Sequence, residues 1–146
     1  MLFSGLWSSD LLIRMRTADA LEKITVKHPE WLQPYKEQLI GQVAQSQEQE
    51  VRWHMAQMFP RLQTNQEERA AMVGILLDYL GDRSRIVRTF AMQALADLAE
   101  QYADLRPEVI RVLEEQTRTG SLAMQSRGRK LLRQLASARI REGSSP

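Results

Sequence analysis

The stretch Ile86–Glu100 reads IVRTFAMQALADLAE, and its periodicity decides the fold. Counted from Val87 as position zero, apolar or small side chains fall at +0, +4, +7, +8 and +11: Val87, Ala91, Ala94, Leu95 and Leu98. At about 100° per residue these offsets share one side of a helix, within roughly a 100° arc. Arg88, at +1, stands on the edge of that arc. The same frame opens three more times. Val51 leads Arg52, Met55, Met58, Phe59 and Leu62; Ile13 leads Arg14, Thr17, Ala20, Leu21 and Ile24. Met124 leads Gly128, Leu131, Leu132 and Leu135, with Gln125 in place of the arginine. The zero positions are separated by 38, 36 and 37 residues. A fixed period of this length, with single-residue drift, is the mark of a stacked array of helical hairpins.

The third copy, V-R-x-x-A-x-x-A-L-x-x-L with Asp82 upstream, resembles the short HEAT-like repeats also found in phycobilisome-lyase relatives. The resemblance covers nearly the whole chain, as three two-helix repeats and the first helix of a fourth. Thr17 departs from the small apolar residue in the first copy, and Met55, Met58 and Phe59 make the second bulkier. The W-x2-L-G-x2-Y opening of tetratricopeptide repeats and the T-P-L-H of ankyrin are both missing. The resemblance implies an all-α fold, a right-handed α-α superhelix (a HEAT/armadillo-like solenoid) of about seven helices in three and a half repeats. It transfers no activity, because one repeat architecture carries many functions.

Local signals place the helices. The first is predicted from about Ser9 to Lys27, capped by Ser8 or Ser9 and stopped at His28-Pro29. The second starts near Pro29 or Pro34. The third holds Val51 to Leu62, with Pro60 predicted to kink or end it, since proline has no N–H to give the preceding turn. Thr64 and Glu67 have capping-box spacing for a fourth helix to Leu80, followed by Gly81 at C′. The fifth ends near Tyr102, Pro107 begins the sixth, Gly120 ends it, and Ser121 caps the seventh. Leu2, Phe3, Leu6 and Trp7 are expected to cover the first repeat.

The 146 residues favour one domain, set at 1–140, with 141–146 as a disordered tail. An apolar share of 43% and a charged share of 26% suit a globular chain. With no cysteine there is no disulfide and no thiolate chemistry. The start, MLFSGLWSSD, lacks the basic and long apolar regions of a signal peptide, and no apolar run is long enough to span a bilayer. The expectation is a soluble, cytoplasmic chain with no membrane partner.

Charge is uneven. Residues 117–146 carry seven basic side chains against one acidic, net +6, whereas the rest carries thirteen against seventeen, net −4. On the last helix Arg127, Arg129, Lys130 and Arg133 fall off the apolar stripe, on the flanks and outer face, with no second helix to cover them. They are candidates for partner binding, set against their alternative role as the polar face of a capping helix. Gly128, on the stripe, invites a close approach of helices. Trp53 lies at +2, about 200° from the seam, and would be a binding hot spot if exposed. Arg14, Arg52 and Arg88 recur at +1 with Asp10, Glu48 and Asp82 upstream, which predicts a ladder of ion pairs within or between repeats.

Nothing in the chain asks for catalysis. There is no phosphate-binding glycine loop, nucleophile elbow or HExxH. Glu50 and His54 are spaced to share a ligand, but zinc takes three or four, so a surface hydrogen-bonded pair is the simpler expectation. No cofactor or metal is expected. The sequence is thus read as a non-catalytic protein-protein interaction module whose partner has an acidic or mixed surface. Nucleic acid, held by the basic C-terminal helix, is the second reading.

Overall fold

A computed structural model describes residues 2–143, and every regular element among them is helical. None of the described helices is long and apolar enough to cross a membrane. The chain divides into two compact units, Met1–Ala91 and Met92–Pro146.

The first unit opens with a 3-10 turn, Leu2–Trp7, whose Phe3 and Leu6 are buried. Phe3 stacks on Tyr35 with ring centroids 3.9 Å apart. Helix α1 is Leu11–Thr25, and its N-cap is Asp10, whose carboxylate accepts from the Leu12 N–H. The expected second helix is broken into a 3-10 turn at Pro29–Tyr35, a short α2 at Lys36–Gly41 and another 3-10 turn at Val43–Gln45. Pro34 sits inside the first of these turns, where it can give no N–H to an α-helical ladder. Helix α3, Gln49–Met58, changes to a 3-10 turn at Phe59–Arg61, as Pro60 dictates. Helix α4, Gln66–Tyr79, begins with a full capping box one residue later than expected. Asn65 accepts from the Glu68 N–H at 2.8 Å, and Glu68 accepts from the Asn65 N–H at 2.9 Å.

Within this unit α1 packs on α3 and α2 on α4. Val51, Met55, Met58, Phe59 and Leu62 are all buried, and so are Val87 and Ala91. The first copy departs from its frame. Ile13 is 46% exposed and Ala20 and Ile24 are half-buried, while Thr17, Ala18, Leu21 and Thr25 form the packed face. The packed face is set by the neighbours of α1, which include α3 and the opening 3-10 turn, Leu2–Trp7.

Helix α5, Arg85–Gln101, contains the unit boundary between Ala91 and Met92. In the second unit its Ala94, Leu95 and Leu98 are buried. Helix α6 is Arg106–Thr119 and α7 is Leu122–Gly143, and the two pack together. At their contact Gly128 is buried against Thr117: a Cβ there would stand 1.9 Å from the Thr117 hydroxyl. An alanine there would force the Thr117 side chain to shift.

The expected tail is shorter than 141–146, because Arg141 and Glu142 belong to α7. Arg106 holds Glu142 with contacts of 2.5 and 2.6 Å, and Arg141 meets Glu100 at 3.0 Å. Such pairing gives the last turn a reason to stay helical. The expected disorder of residues 144–146 lies outside the described residues.

Candidate interaction surface

The recurrent arginines are spent on the fold. Each donates to a backbone carbonyl six residues upstream: Arg14 to Ser8 at 2.7 Å, Arg52 to Ser46 at 2.7 Å, and Arg88 to Asp82 at 2.6 Å. Two of them also hold a carboxylate from the following repeat. Arg14 Nε donates to Glu48 at 2.9 Å, and Arg52 Nη1 to Asp82 at 2.9 Å. The ladder thus runs between repeats, and Asp10 is used as a helix cap instead of a rung. Hydrogen bonding to Glu48 pushes the Arg14 pKa further up. In the fourth copy Gln125 makes the shorter version of the same contact, donating to the Gly120 carbonyl at 3.0 Å.

His54 is buried, which corrects the expected surface pair with Glu50. Its Nε2 lies 3.7 Å from Asp19, and its Nδ1 has no hydrogen-bond partner among the described residues. Burial pushes its pKa below the ordinary value, against the smaller upward pull of Asp19. Among the described residues no group of three or more His, Asp or Glu side chains is gathered as metal ligands would be. Trp53 is half-buried, with its ring 5.6 Å from that of His54.

The basic residues of α7 separate into two groups. Arg127 is half-buried and donates to the Gln93 side chain at 3.3 Å. Arg129, Lys130 and Arg133 are exposed. Helical spacing puts these three within about 100° of one another on α7, on successive turns. The nearby Gln134 turns inward, donating to Asp97 at 3.2 Å and to Glu100 at 2.7 Å. Burial pushes the Asp97 carboxyl pKa up, against the hydrogen bonds from Gln93 and Gln134.

Beside these cations lies a depression of about 740 Å³ between α6 and α7. Its apolar lining includes Pro107, Ile110, Leu132, Leu135, Ala136 and Ile140. The sequence frame puts Leu132 on the buried stripe, but it is half-buried and faces this groove. A second apolar line on α7 was the available signal: 132, 136 and 140 are spaced at i, i+4 and i+8.

Buried apolar seams, hairpins at a 37-residue period and a ladder between repeats define a helical repeat protein. A family model for the HEAT repeat domain matches residues 1–135, and the chain belongs to that family. Comparison with curated proteins and with solved structures gives no significant match.

Proposed function

We propose that the chain is a non-catalytic protein-protein interaction module of the cytoplasm, whose contact surface includes Arg129, Lys130 and Arg133. One observation carries this reading. Several arginines of the fold are engaged: Arg14, Arg52, Arg61 and Arg106 each meet a carboxylate and a backbone carbonyl. Arg129, Lys130 and Arg133 are exposed, and no described side chain pairs with them. Such a patch favours an acidic partner surface, which it also steers on approach.

Phosphates would answer the same three cations, so duplex nucleic acid is the competing partner class. No aromatic side chain is interleaved with them on α7, so base stacking has no platform there. The test is capture of proteins by the full chain at two salt concentrations, beside a titration with random duplex DNA. A protein released by added salt, together with DNA binding no tighter than that of an unrelated basic protein, supports the module. Tight DNA binding that falls linearly in log salt, with no protein retained, replaces it with the nucleic-acid reading.

A further inference from the structure

We propose that the depression between α6 and α7 is a docking slot for an amphipathic helix with acidic flanks, supplied by a partner protein. The first unit shows what such a slot takes. There α4 packs on α2, and its Tyr79 donates to the Ala44 carbonyl at 2.6 Å. The same Tyr79 ring lies under the guanidinium of Arg52 on α3, 5.0 Å from it. The second helix of one repeat and the first helix of the next thus cradle a third. Its buried residues are Met72, Val73, Leu76 and Tyr79, a single stripe.

Helices α6 and α7 hold the repeat positions of α2 and α3, since Met124 stands in the frame where Val51 stands. No described helix fills the slot between them; the apolar groove is there instead. Helix α7 therefore has two apolar lines. Met124, Leu131, Leu135 and Ala138 are buried. Leu132, Ala136 and Ile140 face the groove, and Ile140 is 69% exposed. The short apolar line Leu132, Ala136 and Ile140, facing Pro107 and Ile110 of α6, suits helix-in-groove recognition, in which residues at i, i+3, i+4 and i+7 of the guest enter the groove.

The rim selects the guest. Arg139 lines the groove, and Arg129 and Arg133 stand beside it on α7, against Glu114 on α6. Acidic flanks on the guest answer that excess. A second copy of this chain meets it badly, because a two-fold contact would set Arg129, Arg133 and Arg139 against their own counterparts.

The proposal rests on the reading of the chain as an interaction module and adds the site and the shape of what binds. Its probe is a labelled synthetic peptide of residues 65–80, the α4 segment, which has Glu67 and Glu68 in its first turn. Fluorescence anisotropy with the full chain should show saturable binding. Ala136→Glu, at an exposed position that spares the fold, should weaken it by about tenfold or more, since a carboxylate would enter the apolar contact. Ile140→Glu is the second variant, and circular dichroism checks that both remain folded. A peptide with lysine at Glu67, Glu68 and Asp78 should also bind about tenfold more weakly. The slot is overturned by no saturable binding up to about 1 mM, or by unchanged affinity in both folded variants. It is also overturned if sedimentation shows a dimer that Ala136→Glu dissociates. If the groove variants change nothing while charge reversal at Lys130 and Arg133 still abolishes partner capture, the module stands and the slot falls.

Discussion

Arg52 and Asp82 form an ion pair at 2.9 Å with both side chains only 9% exposed, and they join two successive repeats. The guanidinium is held at two nitrogens and over one ring: Nε serves the Ser46 carbonyl, Nη1 serves Asp82, and Cζ stands 5.0 Å from the Tyr79 ring centroid. Removing one partner of a buried pair leaves the other charged and poorly solvated. Arg52→Met should therefore cost about 3–5 kcal/mol. Arg118→Ala should cost less than about 0.5 kcal/mol, because its pair with Glu115 is exposed to solvent. Urea unfolding of both variants checks this, and equal losses would remove the ladder as a source of stability.

The repeat frame makes a sharper prediction through its exception. Leu95 is fully buried and Ile13 is 46% exposed, although both occupy seam positions in the sequence. Leu95→Ala should cost about 2–5 kcal/mol, in the range for core truncation. Ile13→Ala should cost under about 1 kcal/mol, since half its side chain is already in water. A loss at Ile13 as large as that at Leu95 would mean that its side is covered.

Gly128 is tested by adding one methyl group. Gly128→Ala gains helix propensity but drives a Cβ into Thr117, and overpacking of this kind costs about 1–3 kcal/mol. Thr117→Ala in the same chain removes the hydroxyl that the Cβ would meet at 1.9 Å and should recover most of the loss. Thermal melting of the two variants measures it. No recovery in the double variant would place the strain elsewhere.

His54 gives the fold a pH dependence. Its folded pKa is lowered by burial, so the unfolded chain binds the proton more readily. The stability that neutral His54 contributes is present above its ordinary value of about 6.5 and is lost as pH falls through the lower folded value. Asp19, Glu22 and Glu50 act against this by favouring the imidazolium. His54→Gln should flatten unfolding free energy against pH just below neutrality. An unchanged slope in the variant would show that His54 titrates alike in both states.

What could be read from the sequence followed from periodicity. The seams at Val51, Val87 and Met124, the break at Pro60, the close approach at Gly128 and the recurrent arginines are all local or repeating signals. What escaped depended on neighbours. Ile13 carries the same signal as Val51, but it stands beside the face that α1 packs and stays 46% exposed. His54 looked exposed by spacing from Glu50, but α1 brings Asp19 to it. The fourth helix starts at Asn65 because its side chain and that of Glu68 satisfy each other, which the equally spaced Thr64 and Glu67 do not. At the candidate surface, the cations of α7 were legible, but the separation of Arg127 from Arg129, Lys130 and Arg133 was not, because Gln93 decides it. The groove was missed because Leu132 fits two helical lines at once.

The central claim is that the exposed cations of α7 serve recognition and leave the fold to others. Lys130→Glu with Arg133→Glu tests it most directly, by quantitative capture of bound proteins at low salt beside a thermal melt. Surface changes of this kind alter stability by about 0.5 kcal/mol or less, so the melting temperature should move by no more than about 2 °C. Captured protein should fall by about tenfold, and the remainder should lose its salt dependence. Capture that is unchanged in the reversed variant, with the fold intact, would contradict the account and leave these residues as the solvated face of a capping helix.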